Sequence, residues 1–183
     1  ESLVREGKIR YYACSNWTAP RIKSAYDYAL NNNIRGFVAD QMMWSLAEPN
    51  PDALYDINMV YMTAELYKFH KNTRIAAMPY SSQANGFFSF IFKGGVENVP
   101  KEVLIKYDNS INRKRFDRLK ELALKTGVSI EAVVLAYLIN QPFVVVPVAG
   151  FDTKEQMMVL TEPFPELSER DLNYLDIDYF SSL

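Results

Sequence analysis

A parallel α/β fold is what the sequence predicts, and two patterns predict it. Four short apolar runs, at residues 9–14, 37–41, 75–79 and 144–148, read as strands buried on both faces. Between them lie stretches with apolar residues every three or four positions, the spacing of a helix with one buried face. Strand and helix alternating in this way imply right-handed crossovers and a parallel sheet.

The elements follow in order. The opening ESLVREG reads as the last turns of a helix stopped by Gly7. A domain rarely starts inside a helix, so the chain reads as a piece of a longer protein. IRYYACSNWTAP begins as a strand at Ile9, Tyr11 and Tyr12, breaks at Ser15 and Asn16, and leads into a helix near Pro20. APRIKSAYDYALNNN then places Ile22, Ala25, Tyr26 and Ala29 on one helical face. The second strand ends at Gln41, and residues 49–56 form a loop. MVYMTAELYKFHKN repeats Met59, Met62, Leu66 and Phe69 at helical spacing. The third strand runs into Tyr80 and Ser81. Residues 87–109, holding Gly94, Gly95 and Pro100, read as a long loop, a class of segment usually functional or mobile. Two helices follow, INRKRFDRLKELALKTG and SIEAVVLAYLINQP. Ser129 is the expected N-cap of the second, which stops before Pro142. After the fourth strand, TKEQMMVL and SERDLNYLDIDYF read as helices, the latter capped by Ser168.

Composition narrows the classes. The 183 residues suit one domain, and 49% apolar with 14% aromatic content supplies a sizeable core. A net charge of −2 argues against a nucleic-acid footprint. The cluster Arg113–Lys114–Arg115, with Asp117 and Glu121 nearby, reads as a solvated helix face. One cysteine, Cys14, excludes an intrachain disulfide and suits a reducing, cytoplasmic setting. No apolar run approaches the ~20 residues of a membrane-spanning helix.

Parallel α/β folds bind ligands outside the carboxyl ends of their strands. Here those ends deliver Ser15 and Asn16, then Gln41, then Tyr80 and Ser81, then Gly150 and Asp152 to one edge. On residue type alone, Ser15 and Asn16 also fit a turn, Gln41 a solvated strand end, and Tyr80 a core position.

With those residues gathered, the sequence resembles the aldo-keto reductases. The matching pieces are GKIRYYACSNW, ADQMMWSL, PYSSQANGFF, SIEAVVLAYLINQP and VPVAGFDTKEQ, which follow the family's order and cover nearly the whole chain. The resemblance implies the fifth to eighth strands of an eight-stranded (β/α)8 TIM-type barrel, a partial barrel spanning residues 1–183. It implies NADP as cofactor and a small-molecule carbonyl substrate, an aldehyde or ketone, for the whole protein. By the same resemblance, Ser15, Asn16 and Gln41 would bind the nicotinamide carboxamide, and Tyr80 would stack on its ring. Ser81, Gln83, Asn85 and Gly86 would lie over the pyrophosphate, where the family usually has Pro-Leu in place of Ser82-Gln83. An ordinary polar loop is the alternative for these four.

Gly150, Phe151, Asp152 and Gln156 fall where the family binds the adenosine 2′-phosphate. A helix N-terminus offers N–H groups to an anion there, while Asp152 with Glu155, or Thr153 with Gln156, could instead form a capping box. The family has Lys, Ser or Arg around these positions; this chain has Asp152, and Lys154 as its one cation. A carboxylate repels a 2′-phosphate but can accept a hydrogen bond from a free 2′-hydroxyl, which makes NAD the alternative cofactor.

The family's catalytic tyrosine, lysine, aspartate and histidine come from its first four strands and have no counterpart here. His70 reads as a surface or helix-end histidine, and Glu166, Glu169 and Asp171 as a solvated helix start. Reduction of a carbonyl needs a proton donor for the developing alkoxide, so the chain is expected to be inactive alone. Three other readings stay open: a half-barrel that pairs with a second copy through its open strand edges, a non-enzymatic nucleotide sensor resembling a channel-associated subunit, and an interaction module without ligand.

Overall fold

A computed structural model describes residues 1–54, 58–161 and 163–177. Part of the loop expected at residues 49–56, and the end of the last expected helix, lie outside the described residues.

Strands β1 (Cys14–Ser15), β2 (Ala39–Gln41) and β3 (Ala76–Ala77) form one parallel sheet in that order. Cys14 pairs with Asp40, Ser15 with Gln41, and Asp40 with Ala77. The expected fourth strand joins as a parallel bridge between Ala77 and Val145. Its backbone continues the ladder: Ala77 N donates to Val144 O at 2.9 Å, Val146 N to Ala77 O at 2.9 Å, and Val148 N to Pro79 O at 2.8 Å. In the first two runs the regular strand is the carboxyl part, where the partner is met. At the first run the pairing begins with Val38 N donating to Tyr12 O.

Alternation along the strands sends Cys14, Asp40 and Ala77 to one face, where helices bury all three. The other face differs from expectation. Tyr11 is 63% exposed, Val144 64% and Val146 50%. The runs are apolar on both sides, as strands inside a doubly covered sheet are, yet the described residues cover one side.

Around the sheet lie α1 (Ser2–Arg5), α2 (Ala19–Asn31), α3 (Ala64–Asn72), α4 (Phe87–Gly94), α5 (Lys101–Tyr107), α6 (Ser110–Thr126), α7 (Ile130–Ile139), α8 (Lys154–Met158) and α9 (Glu169–Asp176). Their ends follow local chemistry. The Ser129 side chain accepts from Ala132 N, Asn109 from Asn112 N, and Thr63 from Leu66 N. Ser168 and Asp171 form a capping box at α9, and Gly127, at φ 71°, stops α6. The core helix is α7, apolar on every side and buried from Ala132 to Leu138. Among the described residues no single helix is long and apolar enough to cross a membrane.

Three expectations are corrected. Residues 87–109 are not a long loop but hold α4 and α5. Phe87 and Phe88 lie buried in the core, and Phe87 packs on Tyr107 at 6.0 Å between ring centres. The glycines and Pro100 that suggested a loop are the joint between the two helices. Next, α3 begins at Ala64 and not near residue 59. Met43 N donates to Val60 O and Met62 N to Met43 O, so residues 60–62 run extended beside Met43. Finally, Arg115 is 3% exposed. It shares the inward face of α6 with Leu119 and Leu122, at offsets of four and seven. There its guanidinium donates to Leu46 O, to Asp176 O and, at 2.8 Å, to Asp176 Oδ1. Tyr137 OH donates to the same carboxylate oxygen.

Removing one member of a buried pair strands the other's charge. Arg115→Met is therefore expected to destabilise the chain by about 3–5 kcal/mol. Urea denaturation checks this, and a midpoint within error of the parent would mean that the pair does not hold α6 to α9.

Candidate functional site at the carboxyl ends of the strands

The parallel ladder brings four of the expected residues together. Asn16 N donates to Gln41 O at 2.8 Å, so the tips of β1 and β2 stay in register past the last strand pair. Ser15 Oγ lies 3.5 Å from Gln41 Oε1, a long contact between adjacent side chains. Tyr80 OH donates to Asn16 Oδ1 at 2.8 Å, and Val60 N donates to the same oxygen at 3.3 Å. Asn16 sits at φ 56°, in the left-handed region that asparagine tolerates better than most residues. This turn aims its side chain at Tyr80.

Those bonds use the acceptor oxygens of both amides. Asn16 Nδ2 and Gln41 Nε2 then have no partner among the described residues, and both residues are half-buried. Each nitrogen can donate two hydrogen bonds. The tips thus present amide donors beside a tyrosine ring, a set suited to a ligand carbonyl attached to a flat ring. Tyr80 is half-buried and packs against the core, so it serves the core and the edge together.

The next segment, residues 81–86, is held tightly but not as the residue types alone suggested. Ser81, Ala84, Asn85 and Gly86 all have positive φ, between 50° and 80°. Ser82 Oγ donates to Val148 O, which ties the segment to the fourth strand. Gln83 turns away from the strand tips: its Nε2 donates to Glu131 O in the first turn of α7. Its observed role is to anchor the loop to a helix. Ser81, Asn85 and Gly86 remain on the loop beside Tyr80.

At residues 150–156 the capping-box alternative is the one observed. Gln156 Oε1 accepts from Asp152 N at 2.6 Å and from Thr153 N at 3.3 Å, while Thr153 Oγ1 accepts from Gln156 N at 3.2 Å. Gln156 thus takes the N–H groups of Asp152 and Thr153, two of the donors that an anion could use there. Gly150, Phe151 and Asp152 are exposed.

Behind the tips lies a cluster that sequence reasoning missed. Asp40 and His70 are both wholly buried, with His70 Nε2 3.7 Å from Asp40 Oδ2. His70 Nδ1 is 2.9 Å from Ile75 O, and its ring stacks on Phe143 at 5.5 Å. The expectation of a surface histidine is half corrected: His70 does lie in the last turn of α3, but turned inward. The available signal was Asp40 itself, a carboxylate inside the apolar run FVADQMMW that must find a buried partner. Cys14 Sγ is 3.4 Å from Asp40 Oδ1. Burial, and then the Asp40 carboxylate, push its thiol up to about 12. Asp171, at the helix start, spends its carboxylate on the Ser168 cap.

The aldo/keto reductase family model matches residues 1–177. The chain belongs to the aldo/keto reductase family. It is 27% identical over 157 residues to "Probable aldo-keto reductase 1" of Glycine max, a match covering 82% of this chain and 40% of that protein. It is 22% identical over 184 residues to "Versiconal hemiacetal acetate reductase" of Aspergillus parasiticus, covering 97% of this chain and 50% of that one. A thermostable aldo-keto reductase crystallised with the inhibitor epalrestat has the same fold, with a TM-score of 0.52 at 21% identity. That likeness covers 96% of this chain and 51% of the solved one. This aldo/keto reductase chain therefore spans about half the length of the relatives it matches, and its parallel α/β sheet is part of a TIM-type barrel.

The state of Cys14 is directly measurable. The thiolate is the reactive form, and a thiol held near 12 stays protonated at neutral pH. Iodoacetamide at pH 8 should leave native Cys14 unmodified and alkylate it promptly in denaturant. Rapid modification of the folded chain would show that the sulfur is accessible and ionised.

Proposed function

We propose that residues 1–183 are the carboxyl-terminal, nicotinamide-dinucleotide-binding half of an aldo-keto reductase barrel, cytoplasmic and acting on a small aldehyde or ketone. The observation that carries this reading is the convergence of Ser15, Asn16, Gln41 and Tyr80, with two unpartnered amide donors, at one end of the ladder. Asn16 Nδ2 and Gln41 Nε2 would hold the nicotinamide carboxamide, and Tyr80 would support the ring. Bound there, the cofactor would supply the hydride that reduces a carbonyl carbon. Ser81, Asn85 and Gly86 would line the path of the pyrophosphate, with Gln83 fastening that loop to α7. The open sheet face, where Tyr11, Val144 and Val146 stand exposed, is where the first half of the barrel would pack.

Within this reading the chain binds and orients but does not reduce. The proton that must reach the product oxygen would come from a group on the first half. At the adenosine end, the resemblance makes NADP the first dinucleotide to test, and Gly150, Phe151 and Asp152 give the site its character. Gln156 caps its own helix, and Asp152 places a carboxylate where a 2′-phosphate would bring like charge. Those two features argue for NAD as the alternative.

Thermal melting with NADPH and NADH tests the reading, since a ligand at 100 times its Kd stabilises by about 2.7 kcal/mol. The chain should respond to at least one dinucleotide, and Asn16→Ala with Gln41→Ala should abolish the response. Absence of any shift at millimolar concentrations of both would remove the proposal. Asp152→Ser should raise affinity for NADPH relative to NADH; a ratio unmoved on titration would retire the argument from that carboxylate.

A further inference from the structure

The face of the sheet opposite the proposed cofactor carries a buried polar assembly. It spans both strands that supply the amide-binding residues. Cys14, immediately before Ser15 and Asn16, lies against Asp40 Oδ1. Asp40 immediately precedes Gln41. Its second oxygen faces His70 Nε2 at 3.7 Å, and neither of those two atoms has a hydrogen-bond partner although both residues are 0% exposed. His70 in turn reaches Ile75 O, just ahead of β3. A carbonyl oxygen only accepts, so His70 Nδ1 carries the hydrogen in that bond. The remaining ring nitrogen and the Asp40 oxygen face each other at 3.7 Å, and a hydrogen on either atom turns that approach into attraction. Without it, a lone pair would face a carboxylate in a dry site.

Resting on the reading of the tips as a dinucleotide site, we propose that Asp40 and His70 are positioning residues that clamp β1 and β2 from behind, tied through Ile75 to the start of β3, and so fix where Asn16 and Gln41 present their amides. Adjacent strand residues point to opposite faces, so holding Asp40 holds Gln41. The clamp needs a donor between Asp40 and His70, not a negative charge. Asparagine at position 40 supplies an N–H to neutral His70 and keeps an oxygen for Cys14, whereas valine supplies neither.

Asp40→Asn and Asp40→Val in this chain test the clamp by two readouts. The first needs no ligand: hydrogen exchange at Asn16 N, which donates to Gln41 O. The second is affinity for NADPH beside 2′,5′-ADP, which lacks the nicotinamide end. Asp40→Val should speed exchange at Asn16 while buried amides of α6 and α7 keep their protection. It should weaken NADPH on the order of tenfold, the scale seen when a metal ligand loses its outer partner, and leave 2′,5′-ADP unchanged. Asp40→Asn should match the parent in every measurement. General loosening of the fold would instead raise exchange in α6 and α7 and weaken both nucleotides together, and that result overturns the clamp. So does an Asn16 amide that exchanges at the parent rate in Asp40→Val, or an Asp40→Asn variant as impaired as Asp40→Val. If the parent chain binds neither NADPH nor NADH, the dinucleotide reading falls, and the exchange at Asn16 still decides whether the clamp exists.

Discussion

The parallel backbone ladder through β2 is the constraint on which the upper edge of this molecule depends. Asp40 sits at its centre, paired with Cys14 on one side and Ala77 on the other. Beyond the regular pairs, Asn16 N reaches Gln41 O, Met78 N reaches Asp40 O, and Tyr80 N reaches Met42 O. Each such bond contributes only about 0.5–1.5 kcal/mol net. Their combined geometric effect is larger, because parallel register decides which residues stand side by side. A slip of one residue would send Gln41 to the helices and Asp40 to the open face.

Burial on one side of the sheet lets that ladder hold polar residues in place. The helix-side face carries Cys14, Asp40 and Ala77 against α3 and the core, with His70 closing over Asp40. A second buried ionic group, Arg115 with Asp176, ties α6 to α9 farther out. Both arrangements place polar groups where water is excluded, so each depends on its partner and specifies one geometry. The uncovered face is different in kind. Its exposed Val144 and Val146 are strand residues of the type that sheets bury on both sides.

Much of the fold was legible from pattern. The four apolar runs, the helices at residues 19–31 and 110–126, and the Ser129 and Ser168 caps all follow from spacing and local chemistry, which act over a few residues. Local reasoning failed where a distant segment competed. Residues 60–62 have helical spacing but extend because Met43 offers backbone partners. Residues 87–109 carry glycine and proline, yet their aromatic side chains find a core to enter. Gln83 and Gln156 have side chains suited to a ligand, but nearby backbone groups take them first: Glu131 O in the first turn of α7, and Asp152 N and Thr153 N just ahead of α8.

By itself, then, the chain's order of residues determined its class, its alternation of strand and helix, and the polar types standing at each strand end. Those properties depend on neighbours along the chain. Tertiary structure alone decided that Asn16, Gln41 and Tyr80 meet, that Tyr80 OH and Val60 N occupy the Asn16 oxygen while its amide nitrogen stays unpartnered, and that His70 and Arg115 turn inward. These outcomes join residues as far as 64 and 69 positions apart, and only packing the helices on the sheet settles which distant partner each polar atom finds.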